Sequence, residues 1–202
     1  MQAAWTEGIQ PANGKRWFSG DKEVDEQTRE RFGATLDQLH DAIQSGAEPT
    51  TAEWVRAENP RAGIAAVLLA DQFPRNAFRG TAKCFAFDAH ARDLAKAVLQ
   101  RDDLGDVRIL ERSFLLFPLE HSEELADHEQ LATEMQRLSD ACDEQHNPKA
   151  LRELIDGLAK YAKDHTAVVR RFGRYPHRNK VLGRESTPEE VEYLKDAETW
   201  GQ

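Results

Sequence analysis

An all-α fold is predicted by three observations. Apolar residues recur at three- and four-residue steps along most of the 202-residue chain. Cap-plus-proline signals punctuate those runs at Asn59-Pro60, Asn147-Pro148 and Thr187-Pro188. The sequence carries no two-residue alternation of strand length and no hairpin signal. Antiparallel helices with short connections follow, either as a closed bundle or as a curved array of helix hairpins.

The first helix is read from Phe32, Leu36, Leu39 and Ile43, which share one face, and Gly46 closes it. A short helix around Ala52–Glu58 follows. Asn59 and Pro60 then open a helix carrying Ile64, Val67 and Leu68. It is expected to stop near Gln72, because Pro74 disfavours helical angles at Phe73. Beyond the loop Phe73–Gly80, one helix or a pair spans Thr81 to about Arg101. The next carries Val107, Leu110, Phe114 and Phe117 and is expected to stop at Pro118. Ser122 is expected to cap its successor, with Glu123 and Glu124 in the first turn, where the helix dipole favours anions. Leu125, Leu131, Met135, Leu138 and Cys142 mark the buried side, and the acidic stretch Leu138–Gln145 reads as a solvated end. Asn147-Pro148 opens a helix of roughly seven turns. Its stripe is Leu151, Leu154, Leu158, Tyr161, His165, Val168 and Phe172, and Gly173 ends it. Thr187-Pro188-Glu189-Glu190 is a capping box that opens a last helix through Leu194.

The length suits one domain with a core of its own. Residues 15–202 are read as a single all-α domain behind an N-terminal segment, residues 1–14. Net charge is -9, which argues against a broad nucleic-acid surface but not against a local basic pocket. Cys84 and Cys142 are far apart and read as small buried thiols. No apolar run has membrane-spanning length and no signal peptide is evident, so the expected location is cytoplasmic, with no membrane partner.

The acidic chain nevertheless gathers Arg170, Arg171, Arg174, Arg178, Lys180 and Arg184 around one turn, "RRFGRYPHRNKVLGR". Part of it, "YPHRNKVLG" (Tyr175–Gly183), echoes "FPRNAFRG" (Phe73–Gly80): aromatic, Pro, Arg-Asn, an apolar residue, Gly. A weaker relative is "FPLEHSE" (Phe117–Glu123). Proline ends a helix, Asn satisfies loop backbone, and Gly supplies an angle that other residues avoid. None of this needs the arginines. Either they bond carbonyls at helix C-termini, or the corners share one rim and the guanidiniums converge on an anion.

Four blocks occur in order: "RWFSGD" (Arg16–Asp21), "DQFPRNAFRGTAKCFAFD" (Asp71–Asp88), "FPLEHSEELAD" (Phe117–Asp127) and "RRFGRYPHRNKVLGRESTPEE" (Arg170–Glu190). On these, Lys15 to about Asp196 resembles the bacterial proteins grouped as domain of unknown function 924. The resemblance implies antiparallel hairpins in a tetratricopeptide-repeat-like superhelical array, and no established activity. It also implies a longer N-terminal segment with "FWF", reduced here to residues 1–14, and a Gln where this chain has His128.

No phosphate-binding loop, dinucleotide glycine motif, nucleophile elbow or HExxH string is present, and no cofactor is expected. His121, Glu124 and His128 share a helical face and could ligate a metal. The plainer reading, a helix start with acids placed for the dipole, outweighs it, so no metal is expected. Glu120 and His121 are the candidate acid–base pair. Arg75, Asn76, Arg79, Arg174, His177, Arg178 and Asn179 are the candidate ligand-binding residues. His165 reads as a core histidine, and Asp71 as a partner of Arg75 or Arg79. Trp17 and Trp54 read as packing residues. Two functions follow from these readings. One is a pocket for a small anionic molecule, with or without acid–base catalysis. The other is a helical-repeat scaffold for an acidic peptide.

Overall fold

The computed structural model describes residues 20–142 and 149–197. Among them every regular element is helical. In order these are α1 (Lys22–Ser45), α2 (Thr50–Arg56), α3 (Pro60–Ala77), α4 (Asp88–Leu99), α5 (Ile109–Ser113), α6 (Phe117–Glu120), α7 (Leu125–Asp140), α8 (Lys149–Phe172) and α9 (Pro188–Tyr193). Short 3₁₀ turns at Ala82–Phe85, Asp102–Asp106 and Pro176–Arg178 join them. Trp17, Asn147-Pro148, residues 1–14 and the end of the acidic stretch lie outside the described residues. No described helix is long and apolar enough to cross a membrane.

Local signals explain most boundaries. Gly46 and Gly173 end α1 and α8 in the left-handed region, at φ 71° and 68°. Asn59 Oδ1 accepts from Arg61 N at 3.0 Å, with Pro60 in the first turn of α3. Thr187 and Glu190 exchange both bonds of the capping box.

Proline misleads twice. Helix α3 does not stop at Gln72 but runs through Pro74 to Ala77. Proline disfavours the residue before it and the carbonyl four back, yet it can stay in a helix whose packing over-determines it. Every residue from Leu69 to Ala77 is buried here, and the Arg75 side chain donates to the Asp71 carbonyl at 2.8 Å. Pro118 likewise opens α6 instead of ending its predecessor, a first-turn role in which its missing N–H costs nothing. Ser122 stands ahead of α7, where its Oγ accepts from Glu124 N at 3.1 Å, so Glu123 and Glu124 precede the helix. Leu125 and Tyr161, expected on buried stripes, are exposed.

Two main cores result. Leu36 and Leu39 of α1, Ile64, Val67 and Phe73 of α3, and Leu94 and Val98 of α4 form the first, with Trp54 packed against it. Each such aliphatic side chain contributes about 1.5–3 kcal/mol when fully buried. Leu119 of α6, Leu131, Met135 and Leu138 of α7, and Ile155 and Ala162 of α8 form the second. His128 meets Thr166 at one end of the α7–α8 contact, and Arg152 reaches the Cys142 carbonyl at the other. The third cluster, Val168, Val169 and Tyr175, is small. The loop after α8 is therefore held largely by polar contacts. Cys84 and Cys142 are both buried.

Candidate functional site

The three aromatic-proline corners meet. Asp71 and Arg75 stand one turn apart near the end of α3. Asp88 is the first residue of α4, His121 follows α6, and Arg178 lies in the 3₁₀ turn after α8. Arg75 Nη1 is 3.2 Å from Asp71 Oδ1, and Arg75 Nη2 is 2.9 Å from Asp88 Oδ1. Arg178 Nη1 donates to Asp88 Oδ2 at 3.3 Å and to the His121 carbonyl at 3.0 Å. His121 Nδ1 donates to Asp71 Oδ1 at 2.8 Å. Asp71, Arg75, Asp88, His121 and Arg178 thus form one polar chain, buried at Asp71, Arg75 and Arg178 and half-buried at Asp88 and His121.

Each guanidinium bonds a carbonyl near a helix end, and the two also converge on the single carboxylate of Asp88. The Arg178 guanidinium lies between two rings, 4.7 Å from the centroid of Phe85 and 4.5 Å from that of Tyr175. Tyr175 is fully buried. Its hydroxyl donates to the Glu120 carbonyl, and its N–H donates to Glu123 Oε1.

Hydrogen bonding in the cluster is incomplete. Arg75 Nη2 and Asp88 Oδ1 are close but not aligned as a hydrogen bond. Arg75 Nε and Arg178 Nε are also buried without an acceptor. Arg75 borders a hollow of about 40 Å³, lined also by Arg79, Cys84, Phe85, His177 and Val181, which Arg178 approaches only through the Phe85 ring. That is space for roughly three waters, or for one carboxylate-sized group.

The fields are strong. Burial alone would raise Asp71, but the Arg75 charge and the His121 contact overcome it and hold the carboxyl at about 2. Burial pushes the His121 imidazole below its usual range, as does the Arg75 charge, while Asp71 opposes both. Burial, with the Asp71 charge adding to it, raises Glu120 to about 8. Burial lowers His177 to about 3, and the Arg178 charge lowers it further. Burial raises the Cys84 thiol to about 11.

The other expected site residues are placed differently. Glu120 and His121 are neighbours in sequence but turn to different partners: His121 meets Asp71, whereas Glu120 Oε1 is 3.5 Å from His165 Nδ1. Arg174 is occupied by Glu190, with bonds of 2.6 and 2.8 Å. Asn179 donates to Ser186 Oγ and Glu190 Oε2, and so holds the second carboxylate rather than loop backbone. Arg79 grips Asp25 and Asn76 while its side chain lines the hollow. His121, Glu124 and His128 do not form a metal-binding set. Glu124 is outside the helix, and both ring nitrogens of His128 are used, by Thr166 and the Ser122 carbonyl. Among the described residues no three His, Cys, Asp or Glu side chains gather as metal ligands would. Four of the six cations of the turn each face an acid: Arg171 with Glu189, Arg174 with Glu190, Arg178 with Asp88, Arg184 with Glu123.

Asp88 and Glu123 are the residues that sequence reasoning missed. Each is an acid near a helix start, where a dipole role accounts for it locally. The remaining clue was the count of arginines that needed counter-charges.

Comparison with known proteins agrees with the architecture. A solved structure of a protein of unknown function, ATU0120 from Agrobacterium tumefaciens, superposes with a TM-score of 0.73 at 32% identity. The match covers 96% of this chain and 97% of that one. No curated protein matches. The family model for bacterial proteins of unknown function, DUF924, matches residues 1–198, beginning ahead of the Lys15 at which the motif blocks begin. With the corner motifs, the helical architecture and this match in agreement, the chain belongs to the DUF924 family of bacterial proteins.

Proposed function

We propose that this protein binds a small oxyanion, a carboxylate or a phosphate, in the hollow beside Arg75 and Arg178. One observation carries the reading: Arg75 Nε and Arg178 Nε are buried donors with no hydrogen-bond acceptor, and Arg75 Nη2 meets Asp88 only as an ion pair. Each such group costs about 1–3 kcal/mol unsatisfied. An oxyanion supplies acceptors in the geometry a guanidinium fork prefers. Arg75, Arg79, His177 and Arg178 are the ligand-facing residues in this reading. Asn76 holds Arg79, while Arg174 and Asn179 bond Glu190 and do not face the ligand. If a proton moves at this site, the group that moves it is His121, oriented by Asp71, and not a Glu120–His121 pair.

The tetratricopeptide-like hairpin array belongs to the same proposal. Its support is the α7–α8 register, in which residue 128 meets 166 while 142 meets 152, as two antiparallel helices would. An acidic peptide is the weaker occupant, because four of the six cations of the Arg170–Arg184 turn already face Glu189, Glu190, Asp88 and Glu123.

The test is a thermal-shift titration with acetate, succinate, citrate and inorganic phosphate at constant ionic strength. A binder at 100 times its Kd stabilises by about 2.7 kcal/mol. The expected result is a saturable shift that Arg178→Ala removes while its far-UV circular dichroism stays helical. No shift with any of the four anions ends the proposal, and capture of an acidic peptide in their place would favour the scaffold.

A further inference from the structure

We infer that Asp88 is a resident stand-in for the ligand, and that the ligand is a short monocarboxylate that replaces it between Arg75 and Arg178. The inference rests on the oxyanion reading above. One carboxylate already spans the two guanidiniums, with Oδ1 at 2.9 Å from Arg75 and Oδ2 at 3.3 Å from Arg178. The spacing of the clamp therefore suits a planar two-oxygen group. The tethered carboxylate fits it imperfectly: Oδ1 meets Arg75 Nη2 as an ion pair out of hydrogen-bond alignment, and the Nε of each arginine is buried without an acceptor. A carboxylate free of the backbone has no such tether and can align with them.

Asp88 is also the member of the cluster that can leave. Its side chain is 20% exposed, against 1% for Asp71. Asp71 is pinned by Gln72, Arg75 and His121, whereas the partners of Asp88 are the two arginines. Turned towards solvent, Asp88 would remain in the first turn of α4, where the helix dipole favours its charge.

Charge and size select the guest. Arg75 and Arg178 are balanced by Asp71 and Asp88, so exchange of Asp88 for a monoanion preserves the balance. Phosphate, largely dianionic above pH 7, adds a buried charge with no partner, which is costly. The hollow borders the clamp through Arg75 and through Phe85, the ring beneath Arg178. Its Phe85 and Val181 walls suit an aliphatic tail, and about 40 Å³ limits that tail to a few carbons.

The experiment is isothermal titration of the full chain with acetate, propionate, butyrate and inorganic phosphate at pH 7.5 and constant ionic strength. Wild type is expected to prefer propionate to phosphate. Asp88→Asn, which removes the resident competitor, is expected to bind propionate at least tenfold more tightly. Preference for phosphate, or unchanged or weaker propionate binding by Asp88→Asn, overturns the inference. Should Asp88→Asn fail to fold, Val181→Phe decides: it should lose propionate and butyrate tenfold or more yet keep acetate, and undiminished binding of all three overturns the inference. Anion binding by wild type without the Asp88→Asn gain removes the stand-in role but leaves the oxyanion site. Silence from both proteins removes both.

Discussion

Glu120 and His165 face each other at 3.5 Å, yet at neutral pH neither is charged. Burial, helped by the Asp71 charge, holds the Glu120 proton up to about pH 8, and burial keeps His165 neutral down to about 3. The two pull stability in opposite directions. Folded Glu120 binds its proton more tightly than the unfolded chain does. Its contribution is complete below the usual carboxyl range and is lost as pH rises through 8. His165 contributes above about 6.5, its ordinary value, and that contribution is lost as pH falls towards 3. Burial also lowers His90, His121, His128 and His177, and these add stability as pH rises through their ordinary range, so the Glu120 slope of about 1.4 kcal/mol per pH unit is read as a difference between two proteins. A pH series of melting curves should therefore show wild type losing on the order of 2 kcal/mol relative to Glu120→Gln between pH 6.5 and 8. A difference between the two proteins that stays constant with pH would refute this origin. The sequence made the arginines of the cluster visible, through the echo of Phe73–Gly80 in Tyr175–Gly183. It hid Asp88 and Glu123, because an acid opening a helix already has a local explanation.

Helix ends were legible wherever a side chain or a glycine does the terminating, as at Asn59, Gly46, Gly173 and Thr187. They were illegible where packing decides. Pro74 reads as a stop, but a wholly buried turn with the Arg75 guanidinium on the Asp71 carbonyl carries α3 onward, and this brings Arg75 to the site. Close packing also fixes the α3–α4 crossing. A Cβ at Gly63 would sit 2.6 Å from Val98 Cγ2 and 3.6 Å from Val55 Cα. Gly63→Ala gains about 1 kcal/mol of helix propensity, yet overpacking of this kind costs roughly 1–3 kcal/mol. Urea denaturation should show net destabilisation. Combined with Val98→Ala, the loss should fall short of the sum of the single changes by at least about 0.5 kcal/mol. Strict additivity would mean that the crossing relaxes freely.

Across the molecule, the two apolar cores carry α1–α8, while the segment after Gly173 is fastened mostly by charge. Arg174–Glu190, Arg178–Asp88 and Arg184–Glu123 bind it, with Tyr175 as its one large buried anchor. Hydrogen exchange should therefore find residues 174–196 opening before α3 and α4, and earlier still in Tyr175→Phe, which loses the bond to the Glu120 carbonyl. Equal protection of both regions would contradict this division. An all-helical architecture was readable from periodicity alone. The meeting of the corners was readable only as an alternative, because spacing along a chain does not determine which turns become neighbours. The second arm of the clamp lies about a hundred residues after the first. While a ribosome is still making this polypeptide, Asp88 has Arg75 but not yet Arg178. Under the proposed oxyanion reading, competence to take up a guest is acquired only once Arg178 has been made, and nascent chains that stop short of it should not respond to an anion.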